Sequence, residues 1–184
     1  LFAELSTLES PADIGFVMPL PAAPAPDATM ASVVLDRLQD AGNVGSILRS
    51  AAALGVAQVL AVKGTAALWS PKVLRAGMGA HFGLHLVEGL SEDEVLALGL
   101  NLVGTSSHGG ELLPQAPLPQ PPAWLLGHEG QGVSPRLLAA CAATVCIPQP
   151  GGEESLNVAA AAAICFYEAL RRAGPSSPDR QASA

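Results

Sequence analysis

The sequence predicts an α/β fold, a mostly parallel sheet with helices on both faces. Three observations lead there. Short apolar or β-branched runs recur along the chain, helix signals stand between most of them, and the composition supports one packed core. Of 184 residues, 49% are hydrophobic and only 14% charged, a length and makeup suited to a single domain of ordinary size. Strands that alternate with helices pair in parallel, and the helices cover the sheet from both sides.

The elements follow in order. Ile14 to Met18 has the makings of a strand, and Pro19 to Pro26 reads as a stiff Pro/Ala linker. Residues 1–30 are expected to lead as a linker into the domain itself at 31–174, and 175–184 to be a disordered tail. The domain opens with a strand from Ser32 to Asp36. A helix from Asn43 to Leu54 follows, with Asn43 placed to cap it and Gly55 to stop it. Ala57 to Val62 is the next strand. Ser70-Pro71 starts a short helix, with serine at the cap and proline at the first helical position. Leu84 to Val87 is a strand, and Ser91-Glu92-Asp93-Glu94 is a capping box. Leu100 to Thr105 is a strand, Pro114 to Pro122 a loop, Ala123 to Leu126 a strand and Pro135 to Ala140 a helix. Last come a strand from Thr144 to Ile147 and an alanine-rich helix that Ser155 opens and that runs to about Arg172.

Composition also excludes several functions. A net charge of -7 argues against a generally basic nucleic-acid coat, although a local patch such as Lys63, Lys72 and Arg75 remains open to RNA. Cys141, Cys146 and Cys165 have no CxxC spacing and an odd count, which suits buried thiols in a reducing cytoplasm. No apolar run approaches the ~20 residues of a membrane span. No signal peptide is recognisable, and a chain that begins with Leu1 is expected to have lost a preceding segment. His81 and His85 stand four apart, but Gly83 between them speaks against a helical metal pair.

Three polar clusters interrupt the apolar background. The first runs from Asp40 through Asn43, Gly45 and Arg49. Arg49 is a permanently charged fork suited to phosphate or to an oxygen gaining negative charge. The second is Gly127-His128-Glu129-Gly130-Gln131-Gly132, a glycine-rich loop between strand and helix. Its spacing is not GxGxxG, and no ribose-binding acid follows, so a dinucleotide oxidoreductase is disfavoured. The third is Ile147-Pro148-Gln149-Pro150-Gly151-Gly152-Glu153-Glu154-Ser155-Leu156-Asn157-Val158. A loop at the C-terminal end of a strand that feeds a helix is where open α/β sheets hold ligands. His108, beside Gly109-Gly110, is a further candidate for the pocket border.

In order and spacing the clusters resemble the three motifs of the SpoU-type (TrmH-like) RNA 2′-O-ribose methyltransferases of the SPOUT, or α/β-knot, superfamily. The match spans about Ser32 to Leu170. Gln149 stands where the family often has Met, and His128 occupies a variable position.

The resemblance implies a C-terminal deep trefoil knot, an exception to the rule of unknotted chains. It also implies S-adenosylmethionine as methyl donor, without a metal. The cofactor would lie against Gly127, Ile147 and Leu156, with Thr105, Glu129, Gly132 and Pro148 nearby. Arg49 would act on the 2′-hydroxyl, with Asn43, Ser155 and Asn157 positioning it and the ribose, and Glu129 orienting the second loop. A homodimer is implied, with each active site built from both subunits and acting on RNA, ribosomal ahead of transfer, and residues 1–30 would be the remnant of, or linker from, a missing N-terminal substrate-binding domain. The competing class is a non-catalytic RNA- or ribosome-binding protein that keeps the knotted fold.

Overall fold

The structure is a computed structural model and describes residues 17–106, 109–151 and 155–174. Its strands are β1 (Ser32–Asp36), β2 (Gln58–Val62), β3 (His85–Leu90), β4 (Leu102–Thr105), β5 (Glu111–Leu112), β6 (Ala123–Gly127) and β7 (Ala143–Cys146). They form one sheet in the order β3-β2-β1-β6-β4-β7-β5, and every pairing in it is parallel. The helices are α1 (Ala41–Ala53), α2 (Pro71–Gly77), α3 (Glu92–Ala97), α4 (Pro135–Ala139) and α5 (Val158–Ala173), with a 3₁₀ turn at Ala80–Gly83.

The strand period of two sorts side chains onto two faces. Val33, Leu35, Val59, Trp124 and Leu126 pack with Val44, Ile47 and Leu48 of α1 and with Cys165 and Phe166 of α5. Val34, Leu60 and Leu125 pack on the other face with Val95 of α3 and Leu137 of α4. β1 and β2 are buried along their full length, which is why their sequences read as continuous apolar runs rather than alternating ones. Truncating a buried leucine here, such as Leu126→Ala, is expected to cost about 2–5 kcal/mol.

The chain turns outward from β1 to β2 on one side, whereas β6 leads through α4 to β7 on the other. The seam between β1 and β6 is therefore a topological switch point, and ligands bind outside the carboxyl ends of strands at such points.

Several expected details change. α1 is capped by Asp40 rather than Asn43: the Asp40 carboxylate accepts from the Asn43 backbone N–H at 2.7 Å. α5 begins at Val158 and is capped by Asn157, not Ser155, because the Asn157 side-chain oxygen accepts from the N–H groups of Ala159 and Ala160 at 2.9 and 3.3 Å. Ser70 holds the cap position of α2 but makes no side-chain cap bond. The capping box at Ser91 and Glu94 forms in both directions. β5 and the 3₁₀ turn went unforeseen. Val17 and Met18 are not in a strand, and the rest of Ile14 to Met18 lies outside the described residues, as does the tail from residue 175. The Pro/Ala segment is irregular but tethered, since the Ala25 carbonyl lies 2.6 Å from His85 Nε2 and the Asp27 N–H donates to Gln58.

α1 and α2 touch through Gly45. A β-carbon there would lie 2.4 Å from Ala76 Cβ and 2.7 Å from the Val73 carbonyl oxygen, so only glycine lets the two backbones meet.

Candidate active site

A cleft of about 640 Å³ opens at the carboxyl ends of β4, β6 and β7. Thr105, Gly127 and Val145 come from the strand ends, the loop from His128 to Val133 forms one wall, and Ile147, Gln149, Ser155, Leu156 and Asn157 form the other. Asn43 reaches in from the first turn of α1. All three sequence clusters thus contribute to one cavity.

They are also wired together. Glu129 accepts from the Asn43 side-chain amide at 3.3 Å and from the backbone N–H groups of Asp40 and Gln39 at 3.2 and 3.3 Å. Asn43 in turn accepts from the Asn157 side-chain amide at 2.9 Å. Asn157 spends its remaining oxygen on the cap of α5. A single relay, Glu129 to Asn43 to Asn157, joins a loop, a helix start and a second helix start that are far apart in sequence. Partial burial pushes the Glu129 carboxyl up, but its own backbone N–H and donors from Asn43, Gln39 and Asp40 outweigh that and leave it below its ordinary value.

The loop after β6 is closely built. A β-carbon on Gly127 would sit 2.1 Å from the Val133 nitrogen, so the loop folds back onto a strand end that has no side chain. The Gly132 N–H donates to the His128 carbonyl at 2.8 Å. His128 Nδ1 accepts from the N–H groups of Gly130 and Gln131 at 2.9 and 3.2 Å, which puts the ring proton on Nε2. From outside, the buried Asp36 carboxylate accepts from the Ser134 N–H at 2.6 Å, and the Arg37 guanidinium donates to Gln131 at 3.1 Å.

Of the expected site residues, Asn43, Thr105, Gly127, Glu129, Gly132, Ile147, Ser155, Leu156 and Asn157 line the cleft. Pro148 is exposed and does not line it, and His108 lies outside the described residues. Arg49 is exposed on α1 and does not line the cleft either. Six residues of α-helix separate it from Asn43, roughly 9 Å along the axis and about 240° around it, so the two side chains leave the helix in different directions. Among the described residues the lining holds no Lys or Arg at all. His81 Nε2 lies 2.8 Å from the Leu68 carbonyl oxygen, and His85 turns to Ala25, so the two imidazoles do not face a common ligand. The sequence reading missed Asp36 and Arg37, and it placed Asp40 at the start of the first cluster without the capping role it has. The signal was present for Asp36, an acid that ends an otherwise apolar buried strand.

The SpoU rRNA Methylase family model matches residues 30–167. The chain belongs to that family. It is 36% identical to the 23S rRNA (guanosine(2553)-2′-O)-methyltransferase RlmP of Bacillus subtilis, over 90% of this chain and 68% of that protein. Among solved structures it resembles the SpoU methyltransferase AviRb from Streptomyces viridochromogenes in complex with AdoMet, with a TM-score of 0.77, 33% identity and coverage of 84% of this chain and 66% of that one. A TrmH-family protein from Porphyromonas gingivalis gives a TM-score of 0.81 at 36% identity, covering 93% and 71% of the two chains. The chain spans 52% to 68% of the length of the first curated relatives it matches. As a SpoU-family chain it has its glycine-rich loop and its Asn157 turn on the two sides of one cleft.

Proposed function

We propose that this chain transfers a methyl group from S-adenosylmethionine to a ribose 2′-hydroxyl of RNA, with ribosomal RNA the favoured substrate. The observation that carries the reading is the relay from Glu129 through Asn43 to Asn157, which holds three loops around a single cleft. The cleft suits a nucleoside-bearing cofactor. Its volume of about 640 Å³ falls in the range of small-molecule sites. Val145, Ile147 and Leu156 offer apolar surface, and the buried Gln149 Oε1 has no partner. When bound, S-adenosylmethionine supplies an electrophilic methyl carbon on a sulfonium sulfur.

The residues of the chain do the rest. Gly127, Ile147 and Leu156 hold the cofactor, with Thr105 and Gly132 near it. Asn43, Ser155 and Asn157 orient the ribose, and Glu129 fixes Asn43. The hydroxyl is a weak nucleophile that would have to give up its proton to solvent on taking the methyl group, with the sulfur departing as a neutral thioether. A guanidinium beside that oxygen stabilises its developing charge. Among the described residues the cleft of one chain has no such group, so the reading requires a homodimer in which Arg49 of the partner subunit completes each site. The trefoil knot at β7, the following loop and α5 belongs to the same proposal, as does a metal-free reaction in the cytoplasm. The three thiols, none of them in a disulfide, suit a reducing compartment. Among the described residues no helix is long and apolar enough to cross a membrane.

RNA as the partner has local electrostatic support. Residues 41–87 carry Arg49, Lys63, Lys72 and Arg75 and no Asp or Glu, in a chain of net charge -7. Acids are thus kept off one continuous stretch that includes α1 and α2, leaving it open to phosphates. Arg49→Ala tests the reading: methyl transfer to ribosomal RNA should fall by at least about 10³-fold while S-adenosylmethionine binding by calorimetry stays within about threefold. Unchanged turnover removes Arg49 from the mechanism.

A further inference from the structure

Gln149 is a polar side chain that the relay leaves out. It lines the cleft just past β7, its Oε1 is buried with no hydrogen-bond partner, and its amide makes no hydrogen bond among the described residues. A buried acceptor left unsatisfied costs the full desolvation of that group, and native chains rarely keep one without a use. Other polar side chains at the site are already engaged, Glu129, Asn43 and Asn157 with one another and His128 with its own loop, whereas Ser155 is exposed and meets solvent. Thr105 donates its hydroxyl to the Leu125 carbonyl. An apolar side chain of similar length, such as methionine, would fill this place without that cost.

We propose that Gln149 is a cofactor-binding residue, its Oε1 accepting a hydrogen bond from an N–H or O–H of the bound nucleoside sulfonium. The inference rests on the proposed function, because it needs S-adenosylmethionine in this cleft. The contact uses a side-chain acceptor that a methionine at the same position lacks. Gln149 therefore destabilises the empty protein and is satisfied on binding. Those two effects have opposite signs in one substitution, which a purely structural role does not produce.

The test is Gln149→Met, with Gln149→Leu as the second variant, in the full chain. S-adenosylmethionine binding is followed by calorimetry and stability by thermal unfolding without ligand. The expected result is affinity weakened roughly 3- to 10-fold, the loss of one net hydrogen bond, together with a melting temperature raised by about 2–4 °C. Adenosine and S-adenosylhomocysteine as further probes locate the donor: an equal loss for adenosine assigns it to the nucleoside, and a loss seen only for the longer ligand assigns it to the amino-acid arm. Wild-type binding with unchanged affinity in both variants overturns the proposal and leaves the proposed function standing. A wild-type chain that binds no S-adenosylmethionine overturns both.

Discussion

The two walls of the cleft are built differently. The wall after β6 is tied at almost every residue: Asp36 holds Ser134, Arg37 holds Gln131, His128 holds Gly130 and Gln131, and Glu129 is gripped by the start of α1. Among its described residues the wall after β7 has few such ties. Among the described residues of 147–156 no side chain makes a hydrogen bond, and the first anchor is Asn157. One wall is fixed by the protein alone, whereas the other keeps polar capacity unused. The difference suggests a division of labour, with a rigid side that sets the geometry and an adaptable side whose contacts are completed by what binds. Pre-organisation of one side limits the ordering cost of binding to the other.

The sharpest way to break this contrast is at the rigid wall. Gly127→Ala drives a methyl group into the backbone of Gly132 and Val133. The variant should lose S-adenosylmethionine binding beyond detection by calorimetry and about 1–3 kcal/mol of stability in a denaturant titration. Retained binding would mean that the loop is not held as described. Asn157→Ala cuts the tie between the walls and the cap of α5 at once. It should cost about 1 kcal/mol of stability. Methyl transfer should fall about 100-fold, more than that loss alone explains. Adding Asn43→Ala should then do little more, since both substitutions cut the same link.

The smallest effect is that of pH. The Glu129 carboxyl lies below its ordinary value in the folded chain. Its contribution is therefore complete above the unfolded value of about 4.3 and fades only as pH falls through the lower folded value. Cofactor affinity should be insensitive to Glu129 between about pH 5 and 8 and decline below about pH 4, and Glu129→Gln should flatten that acid limb. The Glu168 carboxyl on α5, held at about 2 by hydrogen bonds from Arg171 and Arg172, follows the same sign for stability.

Much of this was legible in the sequence. The buried strands announced themselves as β-branched apolar runs, and the capping box at Ser91 is encoded in four adjacent residues. The three clusters pointed to one cleft because each follows a strand and two of them open onto helices. Other features were not local. Asp40 and Asn43 are both good caps, and so are Ser155 and Asn157. Only the final backbone path decides which of each pair turns its oxygen into the helix. The Glu129 relay joins residues 86 and 114 positions apart, and no local pattern specifies it. β5 is two residues long and adds an edge to β7, too short to leave a periodic trace.

Arg49 carries the central claim, that each reaction centre takes its guanidinium from a second copy. Mixing two inactive variants tests it directly. Arg49→Ala and Asn157→Ala chains, unfolded together and refolded as mixed dimers, should recover methyl transfer, because one site of each mixed dimer then carries neither substitution. A mixture that stays as inactive as its parents, although mixed dimers are present by mass spectrometry, would place Arg49 and Asn157 in the same chain's site and contradict the account.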